Sequence, residues 1–113
     1  MYALNEVKGM KLNMKIKIAK SFKDKLIGLM FKRNINYGLL IKKCKSIHTF
    51  FMLENIDILL LDQNSKILNI KRNIKPNKII IFNNKKRTNI LELPSNSSLN
   101  YKVNDIIDLN NIK

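Results

Sequence analysis

CKSIHTFFMLENIDILLLD, residues 44–62, holds the lone cysteine of the chain, Cys44, and its lone histidine, His48. Within it Ile47, Thr49, Phe51 and Leu53 alternate with His48, Phe50 and Met52. That period of two predicts a strand over Ile47–Leu53 with mostly apolar residues on both faces. Ile56–Leu61 is almost continuously apolar, the pattern of a central strand shut off from water on both sides. Glu54-Asn55 between them reads as a turn, so the two strands are expected to pair as a central hairpin. Two acids interrupt or end this apolar block, Asp57 inside it and Asp62 after it.

Working outward, Asp62-Gln63-Asn64-Ser65 predicts a hairpin turn, with Asn64 able to take positive φ. A return strand is expected over Lys66–Arg72. Pro76-Asn77 breaks the chain, and strands follow at Lys78–Phe82, at Asn89–Leu93 (stopped by Pro94) and at Asp105–Leu109, with a loop over 95–98 that turns towards Tyr101. Upstream, Leu12, Met14, Ile16 and Ile18 alternate with polar residues and predict a half-buried strand over Lys11–Lys20. Ser21, with Asp24 three residues on, predicts a helix start. Phe22, Leu26, Ile27, Leu29 and Met30 then recur at helical spacing as far as Phe31. Gly28 inside that helix implies a close helix–sheet contact. Tyr37-Gly38 reads as a turn before a short strand, Leu39–Ile41. About eight short strands and one helix give a mainly β domain with one helix (α+β). The expected form is a small β-sandwich or open barrel with the helix packed against it. One domain is expected over residues 1–113, with a core from about residue 11 to 109.

The chain has 113 residues, 45% of them hydrophobic, enough for one core. Its apolar runs fall short of the roughly 18–20 residues needed to span a bilayer. The start, MYALNEVKGM, lacks the basic and apolar regions of a signal peptide, so a cytoplasmic location is expected. One cysteine allows no internal disulfide and fits a reducing compartment. The net charge is +14. It comes with an abundance of Lys, Asn and Ile typical of AT-rich coding, is spread over every segment, and includes only Arg33, Arg72 and Arg87 as arginines. That pattern argues for a solvated basic surface and against specific nucleic-acid recognition. Salt-sensitive adhesion to polyanions or anionic lipid is still expected of such a charge.

The candidate site residues are His48, Asp57, Asp62 and Glu92. A histidine oriented by a carboxylate is the usual general base, but no nucleophile completes the set. Cys44, flanked by lysines, is the one other group with that chemistry; the bland reading of His48 is a hydrogen-bonded core histidine. Asp57, in an apolar strand, must be paired or hydrogen-bonded if buried. Asp62 opens a turn, where its carboxylate accepts backbone N–H groups. Glu92 points opposite to Leu91 and Leu93, either into solvent or into a polar pocket beside His48. One His, one Cys and scattered acids make no metal-ligand spacing, and no cofactor motif is present. Phe50 and Phe51, adjacent in a strand, face opposite ways and read as core.

Several of these pieces together resemble the domain-of-unknown-function 192 family, small proteins of bacteria and archaea. They are Gly28-Leu29-Met30, Tyr37-Gly38-Leu39-Leu40, Cys44, the run Ser46–Met52, the run Ile56–Asp62, and Leu91-Glu92-Leu93-Pro94. The resemblance covers about Met14 to Asp108. Its most specific part is His48-Thr49-Phe50-Phe51-Met52, which is similar to the histidine-bearing branch; many members carry a tryptophan-containing version. The family tends to have glycine where Asn96 and Asn104 stand here. Asparagine is the non-glycine residue most tolerant of positive φ, so the backbone is expected to be kept. Many relatives carry a signal peptide or membrane anchor that is not visible in this sequence. The resemblance implies the mainly β fold and supplies no activity. The residues therefore lead first to a non-catalytic binding or accessory module with a polar pocket around His48 and Asp57, taking a small molecule or a protein. The alternatives are an enzyme using His48 with a carboxylate as general acid and base, and a basic protein held electrostatically to nucleic acid or membrane.

Overall fold

Strand β5 (Ile56–Leu61) is buried at every one of its positions. It has two antiparallel neighbours, β6 (Ile67–Ile74) and β8 (Asn89–Pro94). Beyond β8 lies β3 (Tyr37–Ile41), antiparallel to it, and beyond β3 lies β2 (Lys15–Ile18), parallel to β3. The order across this five-stranded sheet is β2-β3-β8-β5-β6. Two small ribbons complete the strands of the described residues. These are β1 (Met10–Lys11) with β9 (Ile107–Asp108), and β4 (Ser46–His48) with β7 (Ile79–Ile81). One short helix, α1 (Phe22–Ile27), joins β2 to β3. This computed structural model describes residues 10–11 and 14–109, so Leu12 of the first expected strand lies outside the described residues. The fold is mainly β with one helix, and its sheets are open rather than closed into a barrel.

Alternation in the strands sorts the core into two layers. Ile56, Ile58 and Leu60 of β5 share one layer with Leu39, Ile41 and Ile90, covered by Leu29, Ile47, Met52 and Phe82. Leu59 and Leu61 share the other with Ile16, Leu40, Leu91 and Leu93, covered by Tyr101 and Ile107. Each fully buried Leu or Ile contributes about 1.5–3 kcal/mol through loss of apolar surface to water. Strands β3, β5 and β8 are therefore packed from both sides, as the apolar run of β5 predicts for β5 itself.

The expected strand over Ile47–Leu53 stops at His48, and the expected hairpin with Ile56–Leu61 does not form. Thr49 is the reason. Its N–H donates to the Lys78 carbonyl at 2.8 Å and its carbonyl accepts from Asn77 N at 2.9 Å and from Met52 N at 3.2 Å. Its hydroxyl donates to the Lys75 carbonyl and accepts from Lys78 N, both at 2.8 Å. Together these bonds curl residues 49–52 into a turn, with Phe51 in the left-handed region at φ 63°. They pin the end of β4 to the approach to β7 rather than to β5.

The helix is also shorter than its periodicity predicts. Ser21 Oγ accepts from Asp24 N at 3.0 Å, the expected cap. Gly28, however, takes φ 54° and ψ −124° and ends the helix, its N–H bonding back to the Asp24 carbonyl. None of the six helical residues is buried; it is Leu29, past the helix, that enters the core. Asn96 and Asn104 do take the left-handed backbone expected of glycine stand-ins, at φ 69° and 80°. In the 62–65 turn that role falls to Ser65, at φ 64°, and not to Asn64.

Thr49→Val keeps the shape of the side chain but leaves the part-buried Lys78 amide and Lys75 carbonyl without the hydroxyl. It should cost about 2–4 kcal/mol in urea unfolding at unchanged m-value. Loss below about 0.5 kcal/mol would show that solvent replaces those bonds.

Candidate functional site

Glu92 sits in β8 opposite Leu39 of β3 and Ile58 of β5, on the first core layer of the sheet. It is 2% exposed. Among the described residues, its Oε1 is the one buried side-chain nitrogen or oxygen without a hydrogen-bond partner. Removal from water without a compensating charge pushes its carboxyl up to about 8, so it carries its proton at neutral pH. The sheet face above it is incompletely covered. A cleft of about 670 Å³ lies between α1, the Cys44–Phe50 segment and β7, and Glu92 is among its lining residues. Phe22, Leu26, Phe50, Ile79 and Ile81 form apolar walls, while Lys25 and Lys43 add positive charge.

Gly28 gives the carboxyl its space. A Cβ there would stand 3.3 Å from Glu92 Oε1, and the positive φ disfavours any side chain. The close helix–sheet approach expected from this glycine is thus an approach to Glu92.

His48 lines the same cleft with both ring nitrogens engaged. Nε2 donates to the Leu26 carbonyl at 3.0 Å and Nδ1 accepts from Phe50 N at 3.2 Å. A carbonyl can only accept and an N–H can only donate, so these partners select the Nε2–H tautomer. The ring stacks on Phe50 at 5.3 Å between centroids. His48 thus ties the last turn of α1 to the end of β4, and neither nitrogen is free to take a proton from a substrate. Cys44 donates its thiol hydrogen to the Ser46 carbonyl at 3.0 Å. Burial above all, with a smaller push from the nearby Glu92, raises that thiol against the lowering effects of the Ser46 bond and Lys25, away from the reactive thiolate. Burial and Glu92 likewise raise Tyr37.

Asp57 and Asp62 lie apart from this cleft. Asp57 pairs with Leu93 in the register and belongs to the opposite layer of the sheet from Glu92. Its Oδ1 accepts from Asn73 N at 2.8 Å, and its Oδ2 accepts from Ser98 N at 3.1 Å and Ser98 Oγ at 2.5 Å. Arg72 reinforces the junction by donating to the Ser98 and Tyr101 carbonyls. Asp57 therefore fastens the 95–101 turn over the second layer. Asp62 Oδ1 accepts from Asn64 N at 2.8 Å and Lys66 N at 2.9 Å and shapes its hairpin turn. The structure brings His48 and Glu92 together and leaves both aspartates outside. It adds Gly28 and the walls Phe22, Leu26, Ile79 and Ile81, which read in the sequence as ordinary core positions.

Residues 3–107 match the model of domain-of-unknown-function family DUF192, described as an uncharacterized ACR. The chain belongs to the DUF192 family. A UPF0127 protein of Pyrococcus horikoshii is 37% identical over 84 residues, 69% of this chain and 71% of that protein. UPF0127 proteins of Thermococcus sibiricus and Thermococcus kodakarensis are 36% and 35% identical over 75 and 74 residues. Those matches take in 61% and 60% of this chain but 49% and 47% of the relatives, so the chain spans about half their length. All three relatives are archaeal. Two solved structures share the fold. A Novosphingobium aromaticivorans protein of unknown function superposes with a TM-score of 0.73 at 16% identity, over 82% of this chain and 73% of that one. A putative transcription regulator of Sinorhizobium meliloti gives 0.69 at 19%, over 80% and 78%. At these identities the likeness concerns the fold alone. Within this DUF192 chain, the His48–Met52 run supplies the Thr49 hub and the His48 tie, and Leu91–Pro94 supplies the buried carboxyl.

Two outcomes follow from these placements. Glu92 binds its proton more tightly folded than at its ordinary 4.5, so its contribution to stability is complete below about pH 4.5 and is lost as pH rises towards about 8. Glu92→Gln removes that dependence. The variant should gain on the native chain across this window by up to about 1.4 kcal/mol per pH unit in parallel urea titrations, and the difference should flatten above it. Asp57→Ala should cost about 3–5 kcal/mol, because two backbone amides and a hydroxyl lose their acceptor.

Proposed function

We propose that this chain is a non-catalytic binding module whose site is the cleft floored by Glu92. The observation that carries this reading is the buried, unpartnered Oε1 of Glu92 lining an apolar cleft of about 670 Å³. A buried polar atom left unpaired costs about 1–3 kcal/mol, a cost that a ligand bond at that atom would remove. The cleft size suits a small molecule, and apolar walls with few polar groups are the usual lining of such sites.

An enzyme using His48 fits the geometry less well. Its two ring nitrogens are committed to Leu26 and Phe50, and the Cys44 thiol is held protonated, so the described residues of the cleft include no nucleophile beside a free base. His48 is assigned a positioning role: it holds the helix wall against β4.

A fragment screen followed by amide chemical shifts tests the reading. Bound fragments should move the signals of Gly28, Cys44, His48 and Phe50. Ile81→Glu, at a wall position 74% exposed, should leave the unfolding midpoint nearly unchanged and weaken those fragments about tenfold or more. Shifts confined to the separate basic cleft beside Lys42 and Arg87, or no shifts at all, would refute it.

A further inference from the structure

We propose that the Glu92 cleft selects ligands by an uncharged head that carries a hydrogen-bond donor beside an acceptor, a primary carboxamide, on an apolar body. This rests on the binding reading above and adds to it the chemical class of the ligand.

The floor sets the head group. Glu92 faces the apolar layer of Leu39 and Ile58, and among the described residues its Oε1 meets no donor. An ammonium head would require an ionised carboxylate in that surrounding, together with acceptors for its remaining hydrogens. Among the described residues lining the cleft there is no second carboxylate, and Lys25 and Lys43 repel a cation on its way in. A carboxylate head accepts the Glu92 hydroxyl hydrogen but brings no donor for Oε1, and it must shed its water among apolar walls with Lys25 and Lys43 as the cations of the described lining. Desolvating either ion costs more than one hydrogen bond returns. A carboxamide avoids both costs. Its carbonyl accepts the Glu92 hydroxyl hydrogen and its N–H donates to Oε1, which completes both partners without moving a charge.

Gly28 supports the same assignment from the other side. A Cβ there would stand 3.3 Å from Oε1, closer than an ordinary contact, and the positive φ disfavours any side chain, so the backbone of Gly28 packs directly beside the carboxyl. The apolar body then has Leu26, Phe50, Ile79 and Ile81 to lie against, each of them substantially exposed and each on the cleft.

Four compounds with one body and different heads decide the matter: hexanamide, hexanol, hexylammonium and hexanoate, titrated at pH 6.5 with amide shifts as the readout. Hexanamide should bind at Gly28, Cys44, His48 and Phe50 about tenfold or more tighter than hexylammonium and hexanoate, with hexanol between. Glu92→Gln keeps a neutral donor and acceptor and should hold hexanamide within about threefold, whereas Glu92→Leu should lose about tenfold or more. Both variants are checked for a native amide spectrum first, and the Gln variant alone carries the test if the Leu variant does not fold. Preference for hexylammonium or hexanoate at the same signals, or loss of hexanamide in Glu92→Gln, overturns the assignment of the head while the cleft remains the site. Failure of all four to move those signals overturns both.

Discussion

Strand β5 has no side open to water, and every layer of the molecule answers to that. Six consecutive buried residues, Ile56–Leu61, require a cover on each face of the sheet. One cover is the 95–109 segment, which Asp57 fastens by accepting the Ser98 amide and hydroxyl. The other is assembled from less regular pieces: the stretch after α1 that brings in Leu29, and the β4–β7 ribbon that brings in Ile47. Two hydrogen-bonding side chains hold this second cover in place, Thr49 between the ends of β4 and β7, and His48 between β4 and α1. Because the helix is six residues long and buries none of them, that cover does not close over the sheet.

The opening falls over Glu92, and the chemistry of the cleft follows from the position of this one carboxyl in the sheet. A strand residue between Leu91 and Leu93 must face the layer opposite to theirs, and here that layer is core. Removed from water and given no cation, the carboxyl keeps its proton. An acid in that state is a neutral donor and acceptor rather than a charge. Asp57 and Asp62 accept backbone amides and act as fasteners; Glu92 is the acid of the three with a buried oxygen left unpartnered.

Much of the fold is legible in the sequence, for identifiable reasons. The period of two in β2, the unbroken apolar run of β5 and the Asp62 turn are local signals, and local hydrogen bonds or a single buried face realise them. The glycine-like φ of Asn96 and Asn104 followed from the family resemblance, which has glycine there, together with the tolerance of asparagine for positive φ. What failed was non-local. Ile47–Leu53 alternates as a strand should, but Thr49 bonds to Lys75, Asn77 and Lys78 in the turn that β7 departs from, and these bonds outcompete an extension of β4. The helix period continues to Phe31, but Gly28 is needed beside Glu92 in a conformation no helix admits. The candidate site was half legible. His48 and Glu92 were named from their settings, and both line the cleft. Asp57 could not be separated from them, because a polar residue in an apolar strand looks the same whether its partner is a ligand or a backbone amide. Only the face of the sheet distinguishes the two.

The most direct measurement is a carbon-13 NMR titration of the Glu92 side-chain carboxyl in the native chain. A midpoint near 8 is expected, with Gly28 and Cys44 amides reporting the same transition from across the cleft. A midpoint near the ordinary 4.5 would mean that the carboxyl is already solvated or paired, and would contradict both the unpartnered floor and the binding site built on it.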